Sequence, residues 1–143
     1  WKAAIRHEVE HKLGEVYGTH GDQMLHGEVI GCQDIKYGHT NGNPGLLIFD
    51  FSWRSQFVCW DEVEEICKTL KLPTVPVLYR GPFDAAKVLE LAEGKTTING
   101  VDHVREGVVI RPVKERWNDA VGRVIAKVIG QGYGMRKGGT EHH

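Results

Sequence analysis

Only three cysteines occur in the 143 residues, Cys32, Cys59 and Cys67, and no two stand in a C-x-x-C pair. An odd, scattered set excludes a disulfide framework and fits a reducing, cytoplasmic compartment better. No apolar run approaches the roughly 18 residues that a membrane-spanning helix needs, so no membrane partner is expected. The N-terminus, Trp1 to Glu8, is charged and has no apolar core of signal-peptide type. It also lacks Met, which sets the expectation that Trp1 is not the natural start. A dominant charge sign is missing as well: 18 Lys+Arg against 19 Asp+Glu give a formal net charge of -1. Net charge therefore does not advertise a nucleic-acid binder, although a basic face is open to it, since most of the arginine lies from Arg105 onward. There is no internal repeat. With 41% hydrophobic and 26% charged residues the composition is that of a folded domain, which excludes wholesale disorder.

The pattern along the chain predicts alternating helices and strands. Trp1, Ile5, Val9 and Leu13 repeat every four residues, which predicts a helix over 1–13 with Gly14 as its C-cap. Met24 to Ile30 reads as a short strand, and Gly31 to Gly45 as a long irregular excursion. Leu46 to Phe51 is a buried strand, with Arg54 to Cys59 as its hairpin partner. Asp61 and Glu64 form the signature of a capping box, and Val63, Ile66, Cys67 and Leu70 carry the helix towards Pro73. Val75 to Tyr79 is a strand. Asp84 caps a helix through Leu91 that Gly94 ends. Gly107 to Ile110 and Arg123 to Ile129 are the last strands. Without a strict β-α-β rhythm, the fold class is α+β, an antiparallel sheet with flanking helices. One domain over 1–137 is expected, with 138–143 as a flexible tail of purification-tag type.

Two patterns carry chemistry. The first, His7-Glu8-Val9-Glu10-His11, fits H-E-x-x-H, in which one helix face holds two imidazoles on zinc and Glu8 is the general base. Glu10 puts a charge where such helices are apolar. No third ligand is marked, although His20, His26 and Glu28 lie downstream. A solvated helix face is the simpler reading, and a zinc hydrolase a distant alternative. The second pattern is spread out: His26-Gly27-Glu28-Val29-Ile30-Gly31, Leu46-Leu47-Ile48-Phe49-Asp50-Phe51, Glu106-Gly107-Val108-Val109-Ile110-Arg111-Pro112 and Arg123-Val124-Ile125-Ala126-Lys127. Each alone is an ordinary strand.

Together and in this order they resemble motifs III, IIIa, IV and V of the covalent nucleotidyltransferases, and most closely the phage-type, ATP-dependent RNA ligases. The stretch Glu106 to Pro112 is the most specific piece. The run Gly31-Cys32-Gln33-Asp34-Ile35-Lys36-Tyr37-Gly38 resembles the loop that follows motif III in those enzymes.

The resemblance implies a nucleotidyltransferase fold of ATP-grasp-like style, a phage or viral type of origin, and a reaction. A lysine attacks the α-phosphorus of ATP to give lysyl-AMP. The adenylate passes to an RNA 5′-phosphate, and a 3′-hydroxyl displaces it. By resemblance Glu28 hydrogen-bonds the ribose. Leu46 and Phe49 belong to the wall of the adenine slot, Glu106 helps to hold Mg²⁺ or Mn²⁺, and Lys127 contacts the α-phosphate, with Glu106 and Lys127 as the catalytic pair. An unprotonated amine, hard oxygen ligands for the cation and a positive charge facing the leaving pyrophosphate are what this chemistry requires. Two positions depart from the pattern. Leu46 stands where an aromatic is usual, and Ile125 replaces the first Lys of K-x-K, for which Arg123 is the substitute. No Lys of this sequence stands in motif I, K-x-[DHN]-G; Lys12 and Lys36 come nearest and neither fits. The nucleophile is thus expected upstream of Trp1, in an N-terminally truncated domain. The alternative is a non-catalytic remnant that binds nucleotide or RNA.

Overall fold

The structure is a computed structural model that describes residues 2–18, 22–32 and 35–135. Two compact units divide the chain. The first runs to Val75 and takes in Val113–Glu115; the second is built from Pro76–Pro112 and the described chain from Arg116 onward. Mixed α/β structure with antiparallel ladders matches the expected class.

In the first unit the predicted N-terminal helix is two helices, α1 (Lys2–Arg6) and α2 (Val9–Tyr17). Glu8 breaks them apart with a left-handed φ of 53°. The break lets Ala3, Val9, Leu13 and Tyr17 reach one core while Ile5 stays exposed, so the four-residue repeat overstates the stripe. Gly14 lies inside α2; Gly18, at φ 79°, ends it and donates its N–H to the Gly14 carbonyl.

Strands β1 (Gln23–Ile30) and β2 (Gly45–Trp53) pair antiparallel. Arg54 and Ser55, both at positive φ, turn β2 into the short β3 (Gln56–Phe57), the geometry of a two-residue I′ hairpin. Helix α3 (Trp60–Thr69) lies on β2. Its capping box starts two residues earlier than predicted: Cys59 is the N-cap and its N–H donates to the Glu62 carboxylate. Val63, Cys67, Leu70 and Leu72 close over Leu46, Ile48 and Phe51 as the core. The strand expected over 75–79 does not form. Pro73 and Pro76 lack N–H groups, and the segment makes only one bridge, Thr74 with Ile48.

In the second unit α4 (Ala85–Ala92) is capped by Asp84, whose carboxylate accepts from the N–H groups of Ala86 and Lys87. It packs on β4 (Gly107–Ile110) and on β7 (Ala126–Ile129), which pair antiparallel. The single strand expected over 123–129 is split. Gly122–Arg123 forms β6, paired with β5 (Trp117–Asn118). The chain then turns at Val124, where the Ile125 N–H bonds the Arg123 carbonyl, and enters β7. A short α5 (Gln131–Gly134) follows.

Candidate functional site

In the first unit the site residues depend on which side of β2 they face. Cross-strand partners share a face, and the register pairs Glu28 with Leu47, Gly27 with Ile48 and His26 with Asp50. Phe49 is the extra residue between the last two pairs, a β-bulge. Leu46 and Ile48 therefore point into the core, 7% and 2% exposed. Glu28 and Leu47 lie on the opposite face. Phe49, at the bulge, is 42% exposed. Of the two residues expected at an adenine wall, Phe49 is accessible and Leu46 is a core residue. A one-residue slip in a period of two exchanges the faces, and the sequence carried no mark of the bulge.

Gly27, the residue before Glu28, is held close: a Cβ there would lie 2.9 Å from the Ile48 Cδ1 atom and 3.0 Å from the Leu47 carbonyl oxygen. Beside Glu28 on its face, the His26 ring meets the Ser52 hydroxyl, Nε2 to Oγ 3.0 Å, and packs against Phe57. Asp50 and Ser52 are buried polar residues at the same end.

In the second unit the Lys127 ammonium donates to the Glu106 carboxylate. The segments 106–112 and 123–127 thus meet through Glu106 and Lys127. Lys127 lies on an open face of β7. Its side chain is 52% exposed, since α4 covers only one face of the β4–β7 ladder. Val109, its cross-strand partner, and Ile129 are exposed with it.

Gly107 meets a steric demand at the start of β4. A Cβ there would sit 2.0 Å from the Val128 carbonyl oxygen, so only glycine lets the chain after Glu106 run this close to β7. Arg105 fixes the same point from the other side. Its guanidinium donates to the carbonyls of Leu91, Glu93 and Lys95, at the C-terminal end of α4. Glu93 in turn accepts from the N–H groups of Gln131 and Gly132 at the start of α5. Sequence reading missed Arg105, because a lone arginine before a strand has no spacing that marks it.

The H-E-x-x-H reading fails on geometry. His7 lies before the break at Glu8 and His11 within α2, so no continuous helix face presents both rings. His11 lies 3.3 Å from the Glu15 carboxylate. Desolvation by burial, then the neighbouring Lys12 and Arg6, hold the His7 pKa below its ordinary value. His20 lies outside the described residues, as do Trp1, Gln33 and Asp34 and the tail beyond Met135. Among the described residues no group of three or more His, Cys, Asp or Glu is arranged to hold a metal.

The RNA ligase family matches residues 1–129 of the chain. A comparison with curated proteins gave no match. Among solved structures, a lysine-to-methionine variant of Naegleria gruberi RNA ligase with AMP and Mn is similar at 23% identity and a TM-score of 0.73, over 93% of this chain and 39% of that one. A lysine-to-alanine variant of the same enzyme with ATP and Mn gives 22% and 0.72, over 93% and 39%. The enzyme with pyrophosphate gives 22% and 0.71 over the same shares. At such identities the likeness carries the fold. The chain spans about 39% of the length of these structures.

Proposed function

The chain belongs to the RNA ligase family, and from that premise we propose that it is the nucleotide-binding part of an ATP-dependent RNA ligase, which joins RNA ends through lysyl-AMP and an adenylylated 5′-phosphate. The observation that supports it most is the Lys127–Glu106 pair. An ammonium and a carboxylate, each partly open to solvent, stand together on a ladder face that α4 leaves uncovered. Without nucleotide each neutralises the other. With ATP, Lys127 turns to the α-phosphate and opposes the negative charge that grows as pyrophosphate departs. Glu106 would then be free to help hold a divalent cation. Mg²⁺ and Mn²⁺ are commonly held by one or two carboxylates, with phosphate and water oxygens completing the shell, so a single carboxylate fits them and would not fit zinc. Such a cation would neutralise phosphate charge there. Arg123 lies in the same unit on the β5–β6 hairpin, across the ladder from Trp117.

For the first unit we propose that Glu28 accepts from a ribose hydroxyl and that Phe49 packs on the adenine. Leu47 takes the place expected for Leu46, because it shares the Glu28 face. The RNA ends and ATP are the partners in this reading. The free thiols of Cys32, Cys59 and Cys67 suit a reducing, intracellular setting. Among the described residues no helix is long and apolar enough to cross a membrane.

Titration calorimetry of the chain with ATP and Mn²⁺ tests the proposal. ATP should bind, and Lys127→Ala and Phe49→Ala should each weaken it by about tenfold or more. No ATP binding by the wild-type chain overturns the reading.

A further inference from the structure

The β5–β6 hairpin carries an indole that the fold does not use. Trp117 is 67% exposed. Its ring edge lies against Gly122, where a Cβ would be 3.6 Å from Cζ3, and Arg123 stands directly across the ladder from it. Arg116 precedes it and is exposed. We propose that this hairpin is a contact for an RNA strand, Trp117 stacking on a base while Arg116 and Arg123 meet phosphates. The proposal rests on the reading of the chain as part of an RNA ligase and adds to it a substrate-contact element outside the nucleotide residues.

Three observations carry it. The first is rigidity. The Asn118 side chain accepts from the Ala120 N–H, the Val121 N–H donates to the Asn118 carbonyl, and Gly122 takes φ 73°, so the turn is closed by its own bonds. The platform is therefore set before a ligand arrives. The second is charge. From Arg116 to Ile129 there are three basic residues, Arg116, Arg123 and Lys127, and one acid, Asp119, in a chain whose net charge is -1. The third is size. Apart from Trp117 the hairpin exposes one large apolar side chain, Val121. A stable protein interface needs about 800 Å² from each partner, far more than a Trp and a Val provide. One base on one indole needs no more than this, and arginines beside the ring suit the strand's phosphates.

The test is fluorescence anisotropy of a short, labelled single-stranded RNA with the 143-residue chain. Trp117→Ala should weaken binding by about 5- to 100-fold, and Trp117→Phe should keep most of the affinity. Arg116→Ala should lower the slope of log affinity against log salt by about 0.7. ATP binding should be the same in Trp117→Ala as in the wild type. Circular dichroism of each variant checks the fold, which an exposed ring should not disturb. Unchanged RNA affinity in a folded Trp117→Ala chain, or no RNA binding by the wild type, overturns the proposal. So does a dimer that Trp117→Ala dissolves while RNA affinity stays the same. Wild-type RNA binding that needs Trp117, in a chain that fails to bind ATP, would overturn the proposed function and leave this inference standing.

Discussion

Truncating Leu46 and Leu47 in turn separates the two faces of β2. Leu46 lies in the core, so Leu46→Ala should cost about 3 kcal/mol in urea denaturation and leave ATP affinity, read in the folded fraction, near the wild type. Leu47→Ala should cost about 1 kcal/mol or less and weaken ATP. The reverse outcome would move the adenine wall back to Leu46. Gly107→Ala is the severe single change in the second unit. A methyl 2.0 Å from the Val128 carbonyl oxygen cannot be accommodated without opening the β4–β7 ladder, and about 3 kcal/mol of destabilisation is expected by the same measurement. The Cys67 thiol is buried, and desolvation pushes its pKa up to about 11 from 9.0. In the unfolded chain it ionises at the lower value. Its contribution is therefore whole below about pH 9 and is lost as pH rises from there through about 11. Melting temperature should fall across that window, and less steeply in Cys67→Ala. Desolvation also raises the Tyr17 phenol, so some slope should remain.

Arg105 acts on an element. It gathers three carbonyls at the end of α4 and sits one residue before Glu106, so it holds the helix end and the start of β4 together. Arg105→Ala should cost about 2 kcal/mol and speed amide exchange in the last turn of α4. Arg105→Lys should recover only part of that, since one ammonium cannot span three acceptors as a planar fork does. Elements are also where the sequence was legible and where it was not. The strands at 24–30, 46–51 and 107–110 and the helix after Asp84 were readable, because short apolar stretches and a capping carboxylate are local signals. The break at Glu8, the bulge at Phe49 and the turn at Val124 were not. Each is a choice of backbone angle that lets side chains reach a core assembled from distant segments, and no local residue type forces it. Among the candidate site residues, Glu106 and Lys127 were picked out from motifs and meet in an ion pair. Leu46, expected on the adenine wall, lies in the core, and Arg105 gave no signal.

At the scale of the whole chain, the family assignment rests on a match over residues 1–129, and the proposed reaction needs a lysine in a K-x-[DHN]-G setting, in which no lysine of this sequence stands. The measurement that tests the account most directly is single-turnover lysyl-AMP formation from radiolabelled ATP, by a polypeptide that carries this chain behind a K-x-[DHN]-G segment. Lys127→Ala is compared with wild type beside thermal melts of both. The Lys127–Glu106 pair is half open to water, so its loss should change stability by about 1 kcal/mol or less. Removing one preorganised charge from the α-phosphate should slow adenylylation on the order of a hundredfold or more. Equal adenylylation by a well-folded Lys127→Ala protein would contradict the account.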